Sequence, residues 1–209
     1  MACMQRRLLL VAPLLACLPA RSADVLVHTR VDTELGAFVI AVDAARAPVT
    51  VANYLAYVDA KQLDGAQVYR IVTPANQPAE TKHKIAVVQW GRNQRDDEAA
   101  PRPPIAHETT AMTGLKHRHG TVSMARNGPG TATAEFFICI GEQPELDFGG
   151  RRNPDGQGFA AFGQVVAGDA VVMALYGNAE AGQFIKKPIA VRSVRRLTAE
   201  EVAALSLPR

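Results

Sequence analysis

Hydrophobic residues along this chain gather into short β-rich runs separated by turn residues, with only a few helical stretches between them. Residues 25–31 and 37–42 are β-rich, and Asp32-Thr33-Glu34-Leu35-Gly36 between them predicts a hairpin. Pro48 suits the first turn of a helix, and Val51, Leu55 and Val58 recur on one helical face after it. Strand patterns follow at 66–72, 85–90, 120–125, 135–140, 159–166 and 189–196. A short helix is predicted over 169–176. Thr198 followed by Glu201 has the spacing of a capping box for a terminal helical turn or two. Residues 73–84 and 147–158 are polar loops rich in proline or glycine. Residues 91–119 form a long irregular stretch, of the kind that commonly has a function in a compact domain. Eight strands and two main helices that do not alternate regularly argue against a parallel doubly wound sheet. An all-β-dominated fold, a closed eight-stranded antiparallel barrel capped by two α-helices, accounts for the order and leaves no exposed edge.

The first 22 residues depart from this pattern. Arg6-Arg7 precedes an apolar run from Leu8 to Leu18 that Pro13 interrupts. The run is too short to cross a bilayer core of roughly 30 Å. Ala20 and Ser22 are small residues at −3 and −1 for cleavage after Ser22, so 1–22 reads as a secretory signal peptide. Leu14-Leu15-Ala16-Cys17 also resembles a lipobox, which would make Cys17 a lipid-anchored N-terminus. Either reading leaves 23–209 as a single exported domain, in the periplasm or cell envelope.

Composition narrows the class further. With 48% hydrophobic and 21% charged residues in 209, the chain is an ordinary globular protein with room for one sizeable core. The net charge of +3 disappears when Arg6, Arg7 and Arg21 are set aside. A neutral body carries no electrostatic footprint for nucleic acid. Simple secretion would leave Cys139 as the one cysteine, which excludes an internal disulfide. Its Phe-Phe-Ile-Cys-Ile context is that of a buried strand thiol rather than a nucleophile. His117 and His119 are two ligands where zinc takes three or four, so no metal or other cofactor is expected. The cluster Arg95-Asp96-Asp97-Glu98 reads as a solvated charged loop.

Three segments carry a resemblance. They are Val68-Tyr69-Arg70-Ile71-Val72, Val87-Val88-Gln89-Trp90-Gly91, and the block GTVSMARNGPGTATAEFFICI from Gly120 to Ile140, continued by Ala160 and Phe162-Gly163-Gln164-Val165. Together they resemble the cyclophilins, peptidyl-prolyl cis-trans isomerases whose fold is an eight-stranded barrel with a helix at each end. The resemblance spans about residues 25–197, and the loop 153–158 looks like that of exported bacterial members. It implies an isomerase that accelerates the folding of exported proteins, a monomer acting on proline-containing polypeptides. Arg70 matches the family's catalytic arginine and Gln89 its substrate-contacting glutamine. Phe137 and Leu146 match the proline pocket, with Phe162 a nearby hydrophobic match. Because strand neighbours face opposite sides, one of Phe136 and Phe137 can fill the barrel while the other lines the cleft, and the resemblance gives the cleft to Phe137. The Ala125-Arg126 main chain matches the stretch that holds the residue before proline, and Thr131 and Ala132 match the rim.

Departures from the family pattern mark the same region. Ala86 and Val87 stand where many members carry Phe-Met, which thins one wall. Glu135 replaces a glutamine and adds a charge near Arg70, to hold the guanidinium or to compete for it. Arg126 replaces an asparagine, Phe159 a rim histidine, and Glu145 stands near the place of a tryptophan. These departures keep a second reading open, a catalytically weak module that binds proline-containing segments or acts as a chaperone.

Overall fold

The computed structural model describes residues 26–93 and 100–206. The leader 1–22, with Cys3 and Cys17, and the charged cluster 95–98 lie outside the described residues. Eight antiparallel strands close into a barrel: β1 Val27–Thr33, β2 Gly36–Val42, β3 Gln67–Val72, β4 Val87–Gly91, β5 Thr121–Met124, β6 Glu135–Cys139, β7 Ala161–Ala167 and β8 Phe184–Arg196. Their order around the barrel is β1-β2-β7-β5-β6-β4-β3-β8, so the last strand closes it between β1 and β3. The hairpin turn is tighter than the sequence suggests: Thr33 pairs with Gly36, leaving Glu34-Leu35 as a two-residue connection. β8 begins at Phe184, five residues before the sequence expectation. Lys186, Lys187 and Pro188 hide that part of the strand from a hydrophobic pattern.

Among the described residues four α-helices accompany the barrel where two main ones are expected. α1 (Pro48–Asp59) and α3 (Asp169–Tyr176) are the long ones; α1 packs on β8, and α3 on β2 and β4. α2 (Thr110–Thr113) is a single turn and α4 (Ala199–Ala204) is the capped terminal helix. In α4 the Thr198 hydroxyl accepts from the Glu201 amide, and the Glu201 carboxylate accepts from the Thr198 amide.

Alternation along the strands divides the apolar residues into two clusters. Val68, Trp90, Phe136 and Met124 form one cross-strand row, and Ile71, Val88, Ile138 and Val122 another; all face the barrel interior. Tyr54 on α1 and Phe162 on β7 complete this core, with Phe136 5.3 Å and 6.0 Å from their respective ring centres. Burying each such side chain contributes about 1.5–3 kcal/mol. Phe162 therefore belongs to the barrel core and not to the cleft. The outward rows bring Val72, Val87, Phe137 and Cys139 together with Ile85 and Leu146 in a second cluster.

The segment after β4 does structural work on α1. Ala47 at the helix N-cap contributes no side-chain bond. Instead the buried Glu108 carboxylate accepts from the amides of Val49 (3.1 Å) and Thr50 (2.7 Å) and from the Thr50 hydroxyl (2.7 Å). At the other end, Arg102 donates to the Ala56 carbonyl at 3.0 Å and lies over the Tyr57 ring. A carboxylate at the N-terminus and a guanidinium at the C-terminus both complement the helix dipole. The same segment pairs with the β5–β6 connection through Ile105 and Ala132.

Candidate active site

The outward face of β3, β4 and β6 opens into a cleft of about 1120 Å³. Arg70, Gln89, Phe137 and Ser123 are cross-strand partners in one row over β3, β4, β6 and β5, so pairing register alone brings the first three side by side. Tyr69 also lines the cleft, although a strand neighbour of Arg70 should face the other way. A register shift between Val68 and Arg70 permits it, since a bulge turns the extra residue out of the alternation. Gly91 ends β4 at φ +155°, and a Cβ there would stand 2.4 Å from the Ala134 carbonyl and from Glu135 Oε2. Glycine is what allows β4 and β6 to close against each other at this end of the cleft.

A chain of hydrogen bonds runs through the polar half. Arg70 donates from Nε (3.1 Å) and Nη2 to Gln183 Oε1, and from Nη1 to Gln89 Oε1 at 2.9 Å. Gln89 Nε2 donates to the Tyr69 hydroxyl, which donates to Glu135 Oε2 at 2.8 Å. Burial and then the Glu135 carboxylate raise the Tyr69 pKa, so its hydroxyl remains a donor. Burial lowers the Arg70 pKa, and repulsion from Arg152 adds to it. A guanidinium stays charged despite such a shift. Phe184 stands beside this group, its ring 5.7 Å from the Arg70 guanidinium carbon and stacked on Tyr69. Glu135 thus reaches Tyr69, and Arg70 is held by two neutral glutamines. Neither alternative expected for Glu135 describes this arrangement.

The apolar half is built around Phe137. Phe159 meets it edge-on with ring centres 5.3 Å apart, and Ile85, Val87 and Leu146 line the remaining walls. Ile85, Val87 and Gln89 alternate onto the cleft side, whereas Ala86 does not line it. Ala86 instead bonds through its backbone to Gln143 and Ile140. The wall expected to be thin is therefore supplied partly by Ile85. Across the cleft, Ala125, Arg126 and Thr131 line the rim, while Ala132 is buried in the main core against Ile105.

Arg126 uses its side chain structurally. It is almost wholly buried, donates twice to Asp155 (2.8 and 3.0 Å) and to the Gly158 carbonyl, and lies over the Phe159 ring. Gly158 lies at φ +63°, and a Cβ there would stand 2.5 Å from the Leu146 carbonyl, so the loop lies flush against the chain at Leu146. Arg126 thereby fixes Phe159, the aromatic edge of the pocket.

Behind Phe137, His117 Nε2 bonds the Ser123 hydroxyl (2.9 Å) and His117 Nδ1 bonds Asp147 Oδ1 (2.8 Å). The set has the composition of a hydrolytic triad. Ser123 is 0% exposed and His117 1%, and the imidazole stacks on Phe137, so no substrate carbonyl can reach the hydroxyl. It is a support for the pocket floor. Cys139 is likewise buried, and burial raises its thiol pKa well above the usual value.

Of the residues singled out in the sequence, Arg70, Gln89, Val87, Ala125, Arg126, Thr131, Glu135, Phe137, Leu146 and Phe159 meet in this one cleft. Sequence reasoning did not find Gln183, Phe184, Arg152 or the role of the Tyr69 hydroxyl. Gln183 lies 113 residues from Arg70 just before a charged strand start, and carries no local signal.

An eight-stranded closed barrel with an arginine, a glutamine and an aromatic pocket in one outward row defines a class. The family described as cyclophilin type peptidyl-prolyl cis-trans isomerase matches residues 27–196. The chain is 34% identical over 148 residues to the peptidyl-prolyl cis-trans isomerase cyp18 of Streptomyces antibioticus, covering 70% of this chain and 81% of that one. It is 31% identical over 192 residues to the peptidyl-prolyl cis-trans isomerase A of Dickeya dadantii, covering 88% and 92%. In fold it is similar to a cyclophilin type peptidyl-prolyl cis-trans isomerase of Cryptosporidium parvum, with TM-score 0.66 at 17% identity over 83% of this chain and 99% of that one. A crystal structure of that isomerase in the presence of the dipeptide Ala-Pro has a TM-score of 0.64, again at 17% identity, over 82% of this chain and 99% of that one. The chain belongs to the cyclophilin family. Its activity is peptidyl-prolyl cis-trans isomerisation, and its substrates are proline-containing peptides.

Proposed function

We propose that this isomerase works through Arg70, on X-Pro bonds of polypeptides exported with it. Rotation about the prolyl bond is opposed by amide resonance, a barrier of roughly 18–20 kcal/mol, while the two isomers differ by only about 0.5–1 kcal/mol. What lowers the barrier is stabilisation of the twisted amide, whose nitrogen becomes pyramidal and gains a lone pair. A fixed cationic donor aimed at that nitrogen is stronger in the transition state than in the ground state. Arg70 has two N–H bonds left after those to Gln183 and Gln89, and those bonds hold its orientation. The observation that carries the reading is the single row Arg70–Gln89–Phe137, which sets a charged donor beside a ring-sized apolar pocket.

Within this reading Phe137, Leu146, Val87 and Phe159 receive the proline ring. Gln89 keeps one Nε2 hydrogen for a substrate carbonyl, the other serving Tyr69. The Ala125–Arg126 main chain takes the residue before proline, and Thr131 stands on that rim. The alternative of a binding module or chaperone rests on the thin wall at Ala86 and Val87 and on Glu135 competing for Arg70. The bond from Tyr69 to Glu135 weighs against it.

Export is proposed from the leader: residues 1–22 precede the family match, which begins at residue 27. A cleaved signal ending at Ser22 or a lipid on Cys17 gives different mature N-termini, which mass spectrometry distinguishes. Among the described residues no helix is long and apolar enough to cross a membrane. The closed barrel leaves no strand edge to pair with a second copy, which favours a monomer.

Two-dimensional exchange NMR on an Ala-Pro peptide tests the proposal. Arg70→Ala is expected to lower catalysed exchange by about 100-fold or more with the fold unchanged. Failure of the wild type to accelerate exchange, or full activity in Arg70→Ala, would refute it.

A further inference from the structure

Among its described lining residues the cleft carries more positive than negative charge. Arg70, Arg126 and Arg152 line it, against the one carboxylate of Glu135 among the described lining residues. Asp155 neutralises Arg126 through its paired hydrogen bonds. Arg70 and Arg152, in contrast, donate only to neutral acceptors. Arg152 Nη1 donates to Gln77 Oε1 (2.9 Å) and to the His83 carbonyl (3.1 Å). Those two bonds use both hydrogens of Nη1 and leave the N–H groups of Nε and Nη2 without an acceptor among the described residues.

The Arg152 guanidinium is also held in place before any ligand arrives. The backbone amide of Arg152 donates to the Glu145 carbonyl at 3.1 Å, next to Leu146. Gln77, which Arg152 grips, is buried and bonds the backbone of Ile85 at both its amide (3.2 Å) and its carbonyl (2.8 Å). Arg152 is thus built onto the flank of the apolar pocket that Ile85 and Leu146 form. The opposite flank is the Ala125–Arg126 stretch. In the reading proposed above, a chain that enters there and seats a proline on Phe137 would continue toward Arg152. Arg152 and Arg70 line the same cleft, and repulsion from Arg152 adds to the burial that lowers the Arg70 pKa.

We propose that Arg152 is a specificity-determining residue that selects polypeptides with an acidic side chain one or two positions after the proline. This rests on the isomerase reading of the cleft and on the chain direction given above. The carboxylate would accept from the outward N–H groups of Arg152, a charge-assisted and geometrically paired interaction. It would also relieve the repulsion between the two guanidinium groups.

The test uses peptides of the forms Ala-Ala-Pro-Xaa-Ala and Ala-Ala-Pro-Ala-Xaa-Ala with Xaa as Glu, Gln or Lys, and one more with Glu before the proline; the preference is read at whichever of the two positions shows it. Catalysed exchange is measured for wild type, Arg152→Gln and Arg152→Lys. The wild type is expected to favour Glu over Gln by about fivefold in kcat/KM at low ionic strength, as expected for one ion pair near 4 Å in a water-like dielectric. The preference should fall within twofold in Arg152→Gln, persist in Arg152→Lys, and vanish near 1 M salt, where the screening length is about 3 Å. No preference in wild type, the same preference in Arg152→Gln, or a preference for Glu before the proline would each overturn the proposal. If wild type does not turn over the neutral peptide, the isomerase reading fails separately. Calorimetric affinities for the Glu and Gln peptides then decide this one, equal values overturning it. Should Arg152→Gln not fold, the wild-type Glu-to-Lys ratio and its salt dependence decide in its place, a ratio near one overturning the proposal.

Discussion

Gln183→Ala removes the acceptor of two of the three hydrogen bonds that orient Arg70, leaving Gln89 as its one side-chain hydrogen-bond acceptor among the described residues. A hydrogen bond to a charged group contributes about 1.5–3 kcal/mol when buried. Gln183 is only half-buried, and water replaces part of what is lost. The freed guanidinium also regains rotamer entropy, a cost of up to about 2 kcal/mol for a long side chain. A net loss of about 2 kcal/mol in the transition state corresponds to roughly 30-fold in kcat/KM. The backbone bond from the Ile71 amide to the Gln183 carbonyl (2.8 Å) survives the substitution, so β3 and β8 stay paired. The assay is exchange NMR on an Ala-Pro peptide, with peptide affinity from chemical-shift titration and stability from urea unfolding. Turnover should fall while affinity stays within about threefold, because the apolar pocket is untouched. In an Arg70→Ala background the same change should have no effect, since there is nothing left to orient. Turnover within threefold of wild type, or an equal loss in both backgrounds, would refute the reasoning that Gln183 acts through Arg70.

Two further outcomes are expected. Glu108→Ala should lower stability by about 2–3 kcal/mol, through loss of the α1 cap and of the bonds to a buried carboxylate. The expected observation is a lower urea midpoint at unchanged slope, and a change under about 0.5 kcal/mol would contradict the capping role. The hydrogen bonds from Arg126 hold the Asp155 carboxyl at about 2, below its ordinary 3.8. A depressed carboxylate pKa contributes stability that is present above the unfolded value and lost as pH falls through about 2. Resonances of Gly158 and Phe159 should therefore titrate with a midpoint near 2, and a midpoint near 4 would mean that the clamp is not formed.

Legibility in the sequence follows the physics of each element. α3 runs over the expected residues, and the Thr198 capping box is readable because its signal is local. Strand alternation puts Phe136 and Phe137 on opposite faces, and the family resemblance says which of them faces the cleft. The same rule wrongly separates Tyr69 from Arg70, because a bulge leaves no mark in the hydrophobic period. Ala86 is misplaced for a different reason: a family match puts it in the wall, whereas alternation gives that wall to Ile85 and Val87. Glu108 and Gln183 are invisible because each acts on a segment far away in the chain, at separations of 58 and 113 residues. Their polar side chains look like any loop residue until the fold brings the partner to them.

The position of the closing strand has a consequence for how the enzyme comes into being. β1 and β3 each pair with β8, so both keep a bare edge until residues 184–196 arrive. Gln183 and Phe184, which flank Arg70, arrive with the same strand. A nascent chain emerging N-terminus first therefore displays two unpaired borders and an undirected arginine for most of its synthesis. Competence comes late and all at once, when the last strand zips the cylinder shut. Any chain cut short before that point keeps two open strand edges and lacks the residues that orient Arg70.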